Sequence, residues 1–256
     1  MTRIVHLLIL LAVNAVPAAG WFVEDWSAGT TLTVYWFENV AVCLFVTARI
    51  VAHQRWSPRR GHFSYQAPIS RQPSSQTSFS AGFLVTSLVF SAAHGLFLGA
   101  ILFLLDRNGQ TDLAGVDWRS VGIGCSYMLV LLAIDFVVDL TGLRQWSFWQ
   151  IEQTANRSLG RIVVVHLTLV LGVFAAAFTD FSALFGVFVV LKTLNALSTS
   201  LPQWEPTTAP KWLSRLMNRL PGVHPGERFE DQWAKDRADE VERRRRNEQP
   251  WTSARR

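Results

Sequence analysis

Six runs of apolar residues dominate the first two hundred positions of this chain: 4–19, 30–51, 79–105, 121–140, 162–178 and 181–200. A hydrocarbon core about 30 Å thick takes about 20 apolar residues to cross as a helix. Inside lipid every backbone N–H and C=O must be satisfied within the segment, so runs of this kind are helices. The expected fold is all-α: a polytopic transmembrane bundle of six helices over residues 1–200. Residues 201–256 follow as a cytoplasmic tail.

Charge is distributed to match. Of the 43 charged side chains, 21 fall in residues 201–256, which leaves 22 in the first 200 positions, a share of 11%. A soluble domain carries roughly 25%. This excludes an ordinary soluble enzyme and a disordered chain. The two cysteines, Cys43 and Cys125, lie in apolar runs and make no disulfide framework. Both read as small buried hydrophobes. The net charge of +5 calls for no nucleic acid partner, because in a membrane protein basic residues mark the cytoplasmic side.

The connecting segments give an independent check. Glu24 and Asp25 sit in the first with no base; Arg55, Arg59, Arg60 and Arg71 sit in the second with no acid. The third has Asp106, Asp112 and Asp117 against Arg107 and Arg119, and the fourth has Arg144, Arg157 and Arg161 against Glu152. Near Asp180 there is no base, and the tail is rich in Arg. Basic and acidic connections alternate, which fits six crossings with both termini in the cytoplasm. A rival reading takes Arg3, the apolar run and Val16–Ala19 as a signal peptide, which leaves five helices. The segment 52–78, rich in Pro, Ser, Gln and Arg, reads as a flexible linker. Trp21, Trp26, Trp118, Trp146 and Trp149 lie beside helix ends as interface anchors.

In the tail, an interfacial helix is expected over about 211–220, with Leu213, Leu216, Met217 and Leu220 on one stripe and Lys211, Arg215 and Arg219 away from it. A charged, solvated helix is expected over about 227–248, where acids precede bases at i,i+4. The lipid bilayer is the expected partner, with anionic head groups at the basic tail.

Ionisable groups inside the apolar runs carry whatever chemistry there is, because each costs roughly 2.5–3.5 kcal/mol at the bilayer centre and must face the bundle interior. They are Glu38, His94, Asp135, Asp139, His166 and Lys192. At about 1.5 Å rise per residue from each external helix end, Glu38 lies ~12 Å deep, Lys192 ~15 Å, His94 ~16 Å, His166 ~18 Å and Asp135 ~21 Å. Asp139 follows one turn below Asp135. Tyr35 and Asn39 share the Glu38 stripe, Ser87 and Ser91 that of His94, and Asn195 that of Lys192. Ser91, Gly95 and Gly99 add a small-xxx-small pattern for close helix approach. The candidate site is therefore a midplane polar cluster of Tyr35, Glu38, Asn39, His94, Asp135, Asp139, His166, Lys192 and Asn195, with Lys192 as counter-charge to Glu38 and Asp135.

Three functions stay open for it. Polar side chains serve as glue between membrane helices. Midplane carboxylates and histidines also suit proton or small-solute transport. The third is a membrane enzyme, metal-dependent where His94, His166 and a carboxylate serve as ligands. No His-Glu-x-x-His pair, Gly-x-Ser-x-Gly elbow or phosphate-binding Gly loop is present. No catalytic residue, cofactor, substrate or oligomeric state follows from the residues alone.

Several runs taken in order carry a resemblance: Tyr35–Val40 with its Tyr-Trp-x-Glu-Asn pattern, Ala93–Phe97, Trp146–Phe148, Arg161–Thr168 and Leu191–Leu194. Over about residues 5–200 the chain resembles a bacterial and archaeal family of six-helix membrane proteins known only as a domain of unknown function. The family pattern often has Asp three residues after the Lys, where this chain has Asn195, so one partner for Lys192 is missing. The resemblance implies the fold and the bacterial cytoplasmic membrane, and implies no activity.

Overall fold

A computed structural model of the chain describes residues 2–68, 78–176, 194, 206–219 and 228–252. The described residues are helical, with no named strand among them. Lys192, Asn195 and nearly all of the sixth apolar run lie outside the described residues, as does the side chain of His166.

Two compact units are present: residues 1–57 with 80–201, and residues 58–79 with 202–256. In the first, helix α1 spans Thr2–Phe22, α2 Ala28–Trp56, α4 Phe79–Arg107, α6 Trp118–Gly142 and α7 Phe148–Ala176. A short helix α5, Thr111–Ala114, precedes α6, and one 3-10 turn, Leu143–Gln145, joins α6 to α7. Among the described residues four helical segments, Ile4–Phe22, Ala28–Trp56, Phe79–Arg107 and Thr111–Gln145, are long and apolar enough to cross a membrane.

Helix α2 is the hub, packing on α1, α6, α7 and α5. Its start is capped by Ser27, whose hydroxyl accepts from the Thr30 N–H at 3.0 Å. Side-chain contacts give the running direction of each neighbour. Thr30 accepts from the Asp117 N–H near one end, and Arg49 reaches Asp135 and Asp139 near the other, so α6 runs parallel to α2. His53 donates to the Trp146 carbonyl, while Glu38 pairs with Arg161, so α7 runs antiparallel. Fifteen residues separate both His53 from Glu38 and Trp146 from Arg161; on α2 this is about 22 Å of helix, and Trp146 stands just before the start of α7. The register between α2 and α7 is therefore constant over that length.

This α7 packing changes one expectation. Residues 141–161 read from the sequence as a connecting loop; the structure begins α7 at Phe148. Phe148, Ile151, Glu152, Ala155, Ser158 and Ile162 are buried, a stripe with helical spacing. Too polar to stand out by hydropathy, the segment folds against α2 through this face.

A second correction concerns Trp26. Its ring is buried, and a Cβ added at Gly20 or Gly124 would meet it at 2.2 and 2.8 Å. The indole is a wedge in the helix packing rather than an interface anchor, and its N–H donates to Glu24 at 3.0 Å. Trp118, by contrast, is exposed.

In the second unit, α3 spans Arg60–Phe63, α8 Lys211–Met217 and α9 Phe229–Glu248. Part of the segment that reads as a linker is structured: Arg59 bridges to Pro250, and Phe63 stacks on Trp251 at 4.7 Å. The α9 charge run is not solvated all round. Arg243 and Asn247 are buried, and both donate to the Gln66 carbonyl. Glu240 holds Arg243 and Arg244, each at 2.7 Å.

Candidate functional site

Polar groups occupy four levels along the buried face of α2. At its Ala28 end, Ser27 donates to the Gly115 carbonyl, and an open cavity of about 420 Å³ is lined by Glu24, Asp25, Asp112 and Asp117 among others. Three turns further, Glu38 is 0% exposed and ion-paired with Arg161, whose side chain is 13% exposed. Tyr35, Asn39 and His94 are buried as well. Neither amide atom of Asn39 has a hydrogen-bond partner among the described residues. Nearby, the Cys43 thiol faces the hydroxyls of Ser87, Ser91 and Ser158, which joins α2, α4 and α7. Trp36 donates to the Ser91 carbonyl at 2.8 Å, and its indole fills the space a Cβ at Gly95 would need. Gly99 faces open space, so only the first glycine of the GxxxG pair makes a close approach.

The third level centres on Arg49. Its Nε donates to Asp139 Oδ2 at 2.6 Å, and an Nη donates to Asp135 Oδ2 at 2.7 Å. The guanidinium lies 5.5 Å from the Phe136 ring centre. His6 from α1 closes the group, with Nδ1 at 2.7 Å from Asp135 Oδ1 and Nε2 at 3.3 Å from Asp139 Oδ1. At the fourth level His53 donates to the Trp146 carbonyl at 2.9 Å.

The expected single layer is therefore split. Tyr35, Glu38, Asn39 and His94 belong to the second level; Asp135 and Asp139 belong to the third. Glu38 and Arg49 stand eleven residues apart on α2, about 16 Å along its axis. The depth estimate for Asp135 took α6 to begin its crossing level with α2. The contact of Asp117 with Thr30 instead sets α6 several residues lower in that comparison. Three residues of these ion pairs escaped the sequence reading of the cluster: His6, Arg49 and Arg161. Each lies at or near the end of an apolar run, where a basic group counts as a topology marker. Asp135 and Asp139, one turn apart on one face, were the available signal that a cation had to face them.

The described ligand-type side chains that converge are His6, Asp135 and Asp139, whose ligand atoms lie within 4.8 Å of one another. That set differs from the His94, His166 and carboxylate combination read from the sequence. Among the described residues the fold is helical, with four helices long and apolar enough to cross a membrane and ion pairs set between helices, which is the architecture of a membrane protein. The chain belongs to the family of unknown function DUF6498, whose sequence model matches residues 1–211. No curated protein and no solved structure matches it.

Proposed function

We propose that this chain is a six-span protein of the bacterial cytoplasmic membrane, with both termini in the cytoplasm, whose inner ion pairs hold the helices in register. The alternating charge of the connections supports the topology, as does the up-and-down order of α1, α2, α4, α6 and α7. The single observation that carries the structural role is the Glu38–Arg161 pair, which ties α2 to α7 with the carboxylate sealed from solvent. A charge buried in this way needs a partner to be tolerated at all. Lys192, His166 and Asn195 complete the polar lining in this reading. In the tail, Trp212 and Leu216 are exposed beside exposed Lys211 and Arg215, which suits α8 to the anionic face of a bilayer.

Proton or small-solute transport is the second reading. It is favoured by the third level, where the side chains of His6 and Asp135 are 35% and 25% exposed. Proteoliposome flux with an enclosed pH-sensitive dye separates the two. The structural reading expects equal flux from wild type, Glu38→Gln and Asp135→Asn at matched protein density. A wild-type flux that Asp135→Asn abolishes, at the level where His6 and Asp135 are partly exposed, refutes it in favour of transport.

A further inference from the structure

We propose that His6, Asp135 and Asp139 form a binding site for a borderline divalent cation of the zinc, cobalt or manganese type. Fold and sequence together build the site. Asp135 and Asp139 stand at i and i+4, so α6 presents both carboxylates on one face. The antiparallel packing of α1 brings His6 opposite them.

Donor orientation points to a cation. Arg49 takes Oδ2 of both aspartates, at 2.7 and 2.6 Å, and leaves both Oδ1 atoms turned to the imidazole. Ligating carboxylates are commonly aligned in this way by a hydrogen-bonding residue behind them. Arg49 is itself buried and lies over Phe136. Zinc takes nitrogen and oxygen ligands at about 2.0–2.2 Å. Donor atoms within 4.8 Å of one another close onto such an ion by side-chain rotation alone.

The donor chemistry narrows the class. One imidazole nitrogen with two carboxylate oxygens suits zinc, manganese or cobalt better than calcium or magnesium, which favour all-oxygen shells. Two carboxylates face one guanidinium, so Arg49 alone does not neutralise the aspartates. His6 and Asp135 are partly exposed, so the site can be reached from outside the helix packing. The site is separate from the Glu38–Arg161 pair and stands whether or not that pair is structural.

The test is calorimetric titration of Zn²⁺ into the full chain in detergent after chelator treatment. One equivalent should bind, and His6→Ala and Asp139→Asn should each weaken it at least tenfold. Arg49→Lys, which keeps the charge but loses the fork, should cost about 10–100-fold, as outer-shell changes do. Asp112→Asn, in the acidic cavity at the other end of α2, should change nothing. A wild type that binds no Zn²⁺ overturns the proposal, as does unchanged affinity in His6→Ala. Should Asp139→Asn fail to fold, His6→Ala decides through Co²⁺: the visible absorption of bound Co²⁺ in wild type must vanish in the variant, and its persistence overturns the site.

Discussion

Removing Arg161 while keeping Glu38 tests the α2–α7 lock most directly. Arg161→Met preserves most of the aliphatic bulk and leaves a fully buried carboxylate without its guanidinium. Losing one member of a buried pair costs about 3–5 kcal/mol. For a chain of this size each kcal/mol shifts the melting midpoint by about 2–4 °C, so a fall of about 6–20 °C is expected. Glu38→Gln should cost less, because the Gln side-chain carbonyl can still accept a hydrogen bond from the Arg161 guanidinium that Glu38 holds. The double variant Glu38→Gln with Arg161→Met removes both charges, and exchanging a buried pair for uncharged groups is often close to neutral. It should therefore melt above Arg161→Met alone. The readout is thermal unfolding in detergent, followed in a Cys125→Ser background by reaction of a thiol dye with Cys43, which is buried in the folded bundle whereas Cys125 is half-buried. Should the two single losses add to the double loss within about 0.5 kcal/mol, the residues do not interact and the register argument fails.

Two further predictions concern packing and pH. Gly95→Ala places a Cβ 2.8 Å from the Trp36 indole nitrogen, whereas Gly99→Ala meets nothing within 4 Å. The first should cost about 1–3 kcal/mol by overpacking and the second almost nothing; equal melting temperatures would refute the asymmetry. In the second unit, burial pushes the Glu240 carboxyl up, but hydrogen bonds from Arg243 and Arg244 outweigh it and bring the group below its usual range. A depressed carboxylate stabilises the fold above its unfolded pKa, and that contribution is lost as pH falls through the folded value. The stability gap between wild type and Glu240→Gln should be full at neutral pH and close on acidification. A gap that widens in acid would show that Glu240 is not held as an anion by these arginines.

The spans were legible because lipid imposes one rule on every backbone group, and hydropathy records it. Helices α1, α2, α4 and α6 contain the apolar runs at 4–19, 30–51, 79–105 and 121–140, each extended by a few residues at its ends. What hydropathy cannot record is how one helix slides along another. The depth estimate for Asp135 depends on that offset, and the offset is set by contacts outside the span, such as the Asp117 N–H on Thr30. Arg49, His6 and Arg161 were hidden for a related reason. A cation near the end of an apolar run has two fates, to snorkel toward water or to turn inward to an acid. Composition is identical in both cases.

Helix α7 shows where such a choice becomes readable. Between Phe148 and Ile162 the segment carries Glu152, Arg157 and Arg161 among apolar residues, and an average over it resembles a loop. Resolved by helical face, Phe148, Ile151, Ala155 and Ile162 fall on one side with Glu152 and Ser158, and all six are buried. A helix with that face cannot lie free in water, and the constant offset from His53–Trp146 to Glu38–Arg161 places the face on α2. Arg161 then arrives beside Glu38 as a consequence of register, two hydrogen-bonded levels about 22 Å apart leaving no freedom to slide by a turn. A one-turn slip would move Arg161 about 5.4 Å along α2, strand the Glu38 carboxylate and break the His53 bond together. The ion pair thus acts on alignment more than on net stability, the role for which buried charges are best attested.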